Sequence, residues 1–316
     1  MLESGRNEQL IDTNGVALRT IVEGDGPLAV LLHGFPRCWY LWRHQIDPLV
    51  AAGFRVAVPD QRGYGASSRP EPVEAYNILE LSKDVVGLID ALGEEQAYLV
   101  GHDWGCIVAW YVSLLYPHRF HCVMGLSVPW LPIGPGIVNP PGMDENFWYI
   151  RYFQNPGAAE EEFEADVDRT FRFFNGERAD GEGGVTGVRP RDATFLSGEP
   201  PASLSPAITE EDHAYYVASF EESGFRGPLN WYRNMGAIPT LAPWLNGARI
   251  QIPAFFLAGA EDPVLQFVPG SFDAQDAGFA DLRGKQLIDG ARHWVQEEKP
   301  AEVSASVVEF LTSVRG

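Results

Sequence analysis

The chain has 316 residues, 45% of them hydrophobic and 12% aromatic, enough for a substantial apolar core in one elaborated domain or in two. Its formal net charge of -20 opposes binding to nucleic acid or anionic lipid by simple electrostatics, so we expect neither as a partner. The three cysteines have unrelated spacings, which argues against a disulfide framework and a metal site. We find no apolar run of ~18 residues that would span a membrane and no signal-peptide pattern, and we expect a cytoplasmic protein.

Short apolar runs alternate with helical patterns along most of the chain, after a predicted hairpin over residues 10–21. The runs that predict strands are 28–32, 54–58, 97–100, 123–128, 253–257 and 286–288. The segments with helical spacing between and after them are 77–92, 106–116 and 300–314. This alternation predicts an α/β fold with a mostly parallel sheet that is flanked by helices.

The alternation stops at Pro129 and resumes near residue 246. Most of the intervening chain has helical spacing, interrupted by a loop-like stretch over 176–206; the helical segments are 144–175, 210–220 and 228–235. We therefore predict a core formed by residues 1–129 and 246–316, with an inserted helical cap at 130–245.

The stretch from Tyr98 to Ile107 carries the clearest chemical signal. A buried strand is followed by glycines at 101 and 105 that flank Asp103, and a helical pattern follows at once. Strand, sharp turn and helix are the context of a nucleophile elbow, whose strained central residue needs small neighbours. Serine usually occupies this central position, and here it is Asp103.

Two further titratable residues, Asp262 and His293, also come just after predicted strands. Parallel sheets place their sites at the carboxyl ends of strands, so we expect all three side chains to converge. Their order of nucleophile, acid and histidine is that of the α/β-hydrolase triad. The loop His33-Gly34-Phe35-Pro36 would supply the other donor of an oxyanion hole, formed by the Phe35 and Trp104 amides.

An aspartate nucleophile indicates attack on a saturated carbon. A serine would form an ether there, whereas the carboxylate of Asp103 forms an ester that water can cleave. His293 would activate that water, Asp262 would orient the imidazole, and the oxyanion hole would hold the developing charge. The chemistry is alkyl transfer followed by ester hydrolysis and needs neither cofactor nor metal.

The leaving group is either a halide or an epoxide oxygen on this reasoning. An epoxide oxygen needs an acid, which a tyrosine provides because its phenol is protonated at neutral pH. Composition does not choose among the tyrosines of the predicted cap, which are Tyr149, Tyr152, Tyr215, Tyr216 and Tyr232.

Several motifs resemble the α/β-hydrolase-fold epoxide hydrolases, most closely the hydrolase domain of soluble epoxide hydrolase and its bacterial relatives. In the predicted core they are HGFP at 33–36 with WYLWR at 39–43, DQRGYG at 60–65 and GHDWG at 101–105. In the predicted cap they are YFQNPG at 152–157 and SGFRGPLNWYRN at 223–234. The resemblance covers nearly the whole chain from about residue 28.

The resemblance implies a cofactor-independent epoxide hydrolase that converts a small-molecule epoxide to a vicinal diol. It assigns Asp103 as nucleophile, His293 as general base and Asp262 as its partner. It also assigns Tyr149 and Tyr232 to the epoxide oxygen. Two residues depart from the family pattern, Cys106 and Arg292, each at a position where the family often has glycine.

Two other functions remain open. A haloalkane dehalogenase shares the elbow and Trp104, and a non-catalytic member of the fold would bind its ligand without turnover. We expect a bulky or aromatic substrate, from apolar residues that would line the pocket: Trp104, Trp130, Trp148, Trp231 and Met235. A homodimer is left open.

Overall fold

The computed structural model describes residues 5–177, 189–267 and 269–315, with the side chain of Pro135 excepted. Within them the chain forms two compact units. One, here called the sheet unit, comprises 5–61, 79–132, 244–267 and 269–315. The other, here called the helical unit, comprises 62–78, 133–177 and 189–243. No helix in the described part of the chain is long and apolar enough to cross a membrane.

The sheet unit is built on eight strands in its described residues: β1 (Glu8–Thr13), β2 (Val16–Glu23), β3 (Leu28–Leu32), β4 (Arg55–Pro59), β5 (Ala97–His102), β6 (Phe120–Leu126), β7 (Ala254–Gly259) and β8 (Leu282–Ile288). Their order is β1-β2-β4-β3-β5-β6-β7-β8. The pairs β1–β2 and β2–β4 are antiparallel, and every other pair is parallel. The predicted hairpin and the mostly parallel sheet are confirmed.

The α-helices of the described residues are α1 (Arg43–Ala51), α2 (Ile78–Ala91), α3 (Trp104–Leu115), α4 (Tyr149–Tyr152), α5 (Ala158–Glu164), α6 (Val167–Asn175), α7 (Glu210–Ser223), α8 (Arg226–Met235), α9 (Ile238–Leu241), α10 (Val264–Phe267), α11 (Ser271–Ala274), α12 (Val295–Glu298) and α13 (Pro300–Arg315). The central strands β3 and β5 are buried along their whole length. Continuous burial explains why they read as unbroken apolar runs. Because β5 lies between β3 and β6, the turn after it is at the carboxyl ends of the central strands.

The helical unit contains three helices where one segment, 144–175, was predicted. The chain turns at Pro156 and Gly157, and Gly157 has φ 90°, a value that few other residues adopt. Asp166 then starts α6 by accepting a hydrogen bond from the Arg169 amide at 2.8 Å. Part of the predicted loop at 176–206, namely 178–188, lies outside the described residues.

An aromatic cluster forms the centre of the helical unit. Phe163 packs on Phe225 with ring centroids 5.2 Å apart, and Phe225 packs on Phe220 at 4.8 Å. Phe153 extends the cluster at 5.9 Å from Phe163. Edge-on and tilted packing of this kind is favourable for aromatic rings.

The helical unit also includes residues 62–78, which sequence reasoning placed in the core. The indole of Trp231 donates to the Arg62 carbonyl at 3.1 Å, and the Asn234 amide donates to the Val73 carbonyl at 2.7 Å. Gly63 and Gly227 approach so closely that a Cβ on Gly227 would collide with the Gly63 backbone. The predicted division into core and cap stays a proposal.

Candidate active site

Asp103 occupies a strained turn between β5 and α3. Its φ and ψ are 53° and -120°, in the left-handed half of conformational space that favours glycine. A Cβ on Gly101 would collide with the Gly105 carbonyl, and a Cβ on Gly105 with the carbonyls of Leu32 and His33. The predicted elbow, with its need for small neighbours, is therefore present in the backbone.

The two carboxylate oxygens of Asp103 have different partners. The Phe35 amide donates to Oδ1 at 2.8 Å, and the Trp104 amide also hydrogen bonds to the carboxylate. Oδ2 faces His293 Nε2 at 3.6 Å. The two amides predicted for the oxyanion hole thus meet at this carboxylate, and Gly34 leaves room for it because a Cβ there would strike the Asp103 side chain.

His293 lies between two carboxylates. Its Nδ1 is 3.1 Å from Asp262 Oδ1 and 3.2 Å from Oδ2, while Nε2 faces Asp103. Asp262 is buried, and its Oδ1 also accepts from the Val264 amide at 2.9 Å. The structure therefore brings together the three side chains that the sequence singled out.

Burial alone would lower the pKa of His293, but the charge of Asp262 and the hydrogen bond and charge of Asp103 raise it to about 10. Burial would likewise raise the pKa of Asp103, but the hydrogen bond and charge of His293 outweigh it and hold that pKa below its usual range. At neutral pH the pair is thus an imidazolium and a carboxylate.

Two buried histidines, His33 and His102, stay neutral. Burial lowers the pKa of His33 to about 4, and burial with the charge of His293 lowers the pKa of His102 to about 3. The Gln61 amide donates to His33 Nε2 at 3.0 Å, so His33 Nδ1 carries the proton and donates to the Gly34 carbonyl at 3.1 Å. His33 thereby supports the loop that carries the Phe35 amide, a contact that sequence reasoning missed.

The helical unit brings Tyr149 and Tyr232 together, with ring centroids 5.9 Å apart. Phe153 packs against both rings, at 5.6 Å from Tyr149 and 5.0 Å from Tyr232. The Gln154 side chain donates to the Tyr232 carbonyl at 3.0 Å. Two tyrosines from distant parts of the sequence therefore form one packed pair.

The aromatic residues predicted to line a pocket are all buried, and several have packing roles within their own unit. The Trp231 indole donates to the Arg62 carbonyl, and the Trp148 indole donates to the Ile137 carbonyl at 2.8 Å. Trp130 packs edge-on against Tyr111 at 5.3 Å. Trp104 and Met235 are 2% and 5% exposed. Their contact with a substrate stays a prediction.

Neither departure from the family pattern disturbs this geometry. Cys106 is buried, its thiol donates to the Val128 carbonyl at 3.2 Å, and burial raises its pKa well above the usual value. Such a thiol is inert. Arg292 lies 3.6 Å from Glu261 through Nε. Across the described residues no cluster of three or more His, Cys, Asp or Glu side chains could hold a metal ion.

The Asp103 carboxylate thus stands on a strained elbow, with an imidazolium 3.6 Å from one oxygen and an amide at the other, an arrangement that suits a carboxylate for nucleophilic attack. The α/β hydrolase fold family matches residues 27–300 of this chain. Epoxide hydrolase A of Mycobacterium tuberculosis is 44% identical over 97% of this chain and 98% of that protein. The bifunctional epoxide hydrolase 2 of Sus scrofa is 40% identical over 94% of this chain, which spans 53% of that longer protein.

A crystal structure of epoxide hydrolase A from Mycobacterium thermoresistibile superposes with a TM-score of 0.88 at 44% identity, covering 96% of this chain and 98% of that one. The chain belongs to the epoxide hydrolases of the α/β hydrolase fold. The family predicted from the sequence motifs is confirmed.

Proposed function

We propose that this chain hydrolyses an epoxide to a vicinal diol through a covalent ester on Asp103. The observation that carries the proposal is that the two oxygens of that carboxylate have different partners. Oδ1 is bound by the Phe35 amide at 2.8 Å, whereas Oδ2 points toward His293 at 3.6 Å. Oδ2 is thus the oxygen available to attack carbon, and Oδ1 becomes the ester carbonyl oxygen.

In the first step Asp103 Oδ2 attacks an epoxide carbon and the carbon–oxygen bond of the ring breaks. The epoxide oxygen takes a proton from a phenol of the pair Tyr149 and Tyr232, which would hold it as the ring opens. The packed arrangement of these two rings supports their action as a pair.

In the second step water attacks Cγ of the Asp103 ester. Formation of the ester removes the negative charge of Asp103, one of the causes of the raised pKa of His293. That pKa falls, and the proton of His293 passes through solvent to restore the phenol, so that Nε2 can accept a proton from water. The charge that develops on Oδ1 is met by the Phe35 and Trp104 amides.

The bond between Cγ and Oδ2 then breaks, and the departing diol takes the proton that His293 received. The carboxyl proton left on Asp103 passes to His293, which restores the carboxylate and the imidazolium of the starting state. Water and epoxide are consumed in equal amounts, and no cofactor takes part.

Tyr232→Phe is expected to slow ring opening by about 10²-fold, because the variant lacks one acid that protonates the epoxide oxygen. Rapid-quench formation of the ester from styrene oxide measures this step. Tyr152→Phe is the matched control, because the Tyr152 hydroxyl donates to Glu162 at 2.8 Å, with the Ala158 carbonyl as a second acceptor at 3.2 Å.

The same variant separates the proposal from a haloalkane dehalogenase. Bromide release from bromoalkanes that is efficient in the native protein and survives Tyr232→Phe would favour the dehalogenase. Recovery of styrene oxide unchanged after tight binding to the native protein would favour a non-catalytic member of the fold.

The substrate is proposed to be bulky or aromatic. Supporting this, Trp148 lies 5.0 Å from the Tyr149 ring, so the tyrosine pair has a large apolar neighbour within the helical unit. A panel of epoxides of graded size, with the chirality of each diol determined, would define the preference.

A cytoplasmic location is also proposed, supported by three buried cysteines that form no disulfide in the described residues. The homodimer left open by the sequence is tested by sedimentation velocity.

A further inference from the structure

The backbone around His293 is held from two sides by side chains that the mechanism above does not use. Glu298, at the end of the single-turn helix α12, reaches back to the residues on either side of His293. Its Oε2 accepts from the Arg292 amide and its Oε1 accepts from the Trp294 amide at 3.1 Å. One carboxylate therefore spans both peptide groups that flank the base.

The carbonyl of His293 is held from the other side. His102 Nε2 donates to it at 2.7 Å and the Ser127 hydroxyl donates to it at 3.1 Å. His102 is buried, and its ring lies 4.8 Å from the ring of His293. Ser127 has φ 71°, a strained value for a residue other than glycine.

We propose that Glu298 is a positioning residue for the general base, acting with Ser127 and His102 to hold the His293 backbone during ester hydrolysis. This inference rests on the proposed function. Before alkylation the imidazole is held by carboxylates at both nitrogens, Asp262 and Asp103. Ester formation removes the charge of Asp103, and Asp262 then remains as the carboxylate that holds a ring nitrogen, Nδ1. The position of Nε2 relative to water then depends more strongly on the contacts that hold the His293 backbone.

The role of Glu298 therefore predicts a step-specific effect. Ring opening uses Asp103 and the tyrosines and does not need a base. Ester hydrolysis needs Nε2 in line with water and Cγ, and misplacement by about 1 Å can cost about 10²-fold. A carboxylate that only capped α12 would change stability and leave the ratio of the two rates unaltered.

Glu298→Gln tests this assignment, because glutamine keeps one acceptor oxygen and replaces the other with a donor that cannot accept from an amide. Native protein and variant are each mixed with an excess of styrene oxide over enzyme. The ester is followed by rapid quench and intact-protein mass spectrometry. We expect ester formation within twofold of native and hydrolysis slower by about tenfold or more, so that the ester accumulates.

Glu23→Gln is the matched control, because Glu23 also accepts from a backbone amide, that of Asn7 at 2.9 Å, but lies at the end of β2. It should leave both rates at the native values. Equal slowing of both steps in Glu298→Gln, or hydrolysis at the native rate, would overturn the inference.

Ser127→Gly provides a second variant that does not depend on how Glu298→Gln folds. It removes the hydroxyl from the His293 carbonyl while glycine tolerates φ 71°. Slower hydrolysis with unchanged ester formation is again expected, and unchanged hydrolysis would overturn the inference. Absence of any ester in the native protein would instead overturn the proposed function, and this inference with it.

Discussion

Asp103→Asn is expected to reduce kcat for styrene oxide by about 10⁴-fold or more, because an amide is a poor nucleophile. Asparagine has nearly the same size and tolerates a positive φ better than most residues, so the turn at φ 53° should remain folded. Steady-state formation of the diol measures the loss. No ester should be detected by mass spectrometry.

The same variant has an electrostatic consequence that can be observed without substrate. In the native protein Asp103 helps to raise the pKa of His293 to about 10. With that charge removed, the pKa of His293 should fall, and an NMR titration of the imidazole would follow the change.

Asp47→Asn is a suitable control, since Asp47 is an exposed residue of α1 that pairs with Arg6 at 2.5 Å. It should alter neither turnover nor the His293 titration. Turnover of epoxide by the Asp103→Asn variant at a tenth of the native rate or faster would contradict the covalent route.

His293→Gln is expected to stop the reaction after one step. Ring opening needs no base, so one equivalent of epoxide should be consumed per enzyme. Hydrolysis should then slow by about 10²- to 10⁴-fold, the usual contribution of a general base. The intact protein should gain the mass of one substrate molecule, and digestion should place that mass on the peptide that contains Asp103.

His121→Gln is the control for loss of a histidine. His121 belongs to β6 and packs on Tyr98 with ring centroids 4.6 Å apart, so the variant removes a ring contact without touching the triad. It should not accumulate an ester. Fast multiple turnover by His293→Gln would show that another group activates the water.

The elbow was predictable because its requirements are local. Glycines at 101 and 105, an apolar run before them and a helical pattern after them are sufficient to indicate the turn. The exact start of α3 was missed by two residues, since it begins at Trp104 rather than at residue 106. Asp103 ends the extended chain and begins the helix within one residue, a change that hydrophobic periodicity does not resolve.

Contacts between distant segments were less predictable. Residues 62–78 join the helical unit through Arg62 and Val73 carbonyls that bind Trp231 and Asn234. Backbone carbonyls have no sequence signature, so these bonds could not be foreseen. The pairing of Tyr149 with Tyr232 was available from the family resemblance, whereas composition left five tyrosines open.

The neighbours of the triad illustrate the same limit. Asp262 and His293 stand out because each follows a predicted strand. Glu298 is one of two consecutive glutamates, and only its folded contacts separate it from Glu297, which pairs with Arg37 at 3.1 Å instead. The two glutamates are distinguished by the direction of their side chains and not by residue type.

A single turnover in ¹⁸O-water tests the central claim most directly. Enzyme in excess over styrene oxide is mixed in labelled water, and both diol and protein are analysed after one turnover. The covalent route predicts an unlabelled diol, because its new oxygen is the original Oδ2, and one labelled oxygen in the peptide that contains Asp103. Transfer of the enzyme to unlabelled water should then pass that label to the diol of the next turnover. Labelled diol in the first turnover, with an unlabelled Asp103 peptide, would show direct attack by water and contradict the account.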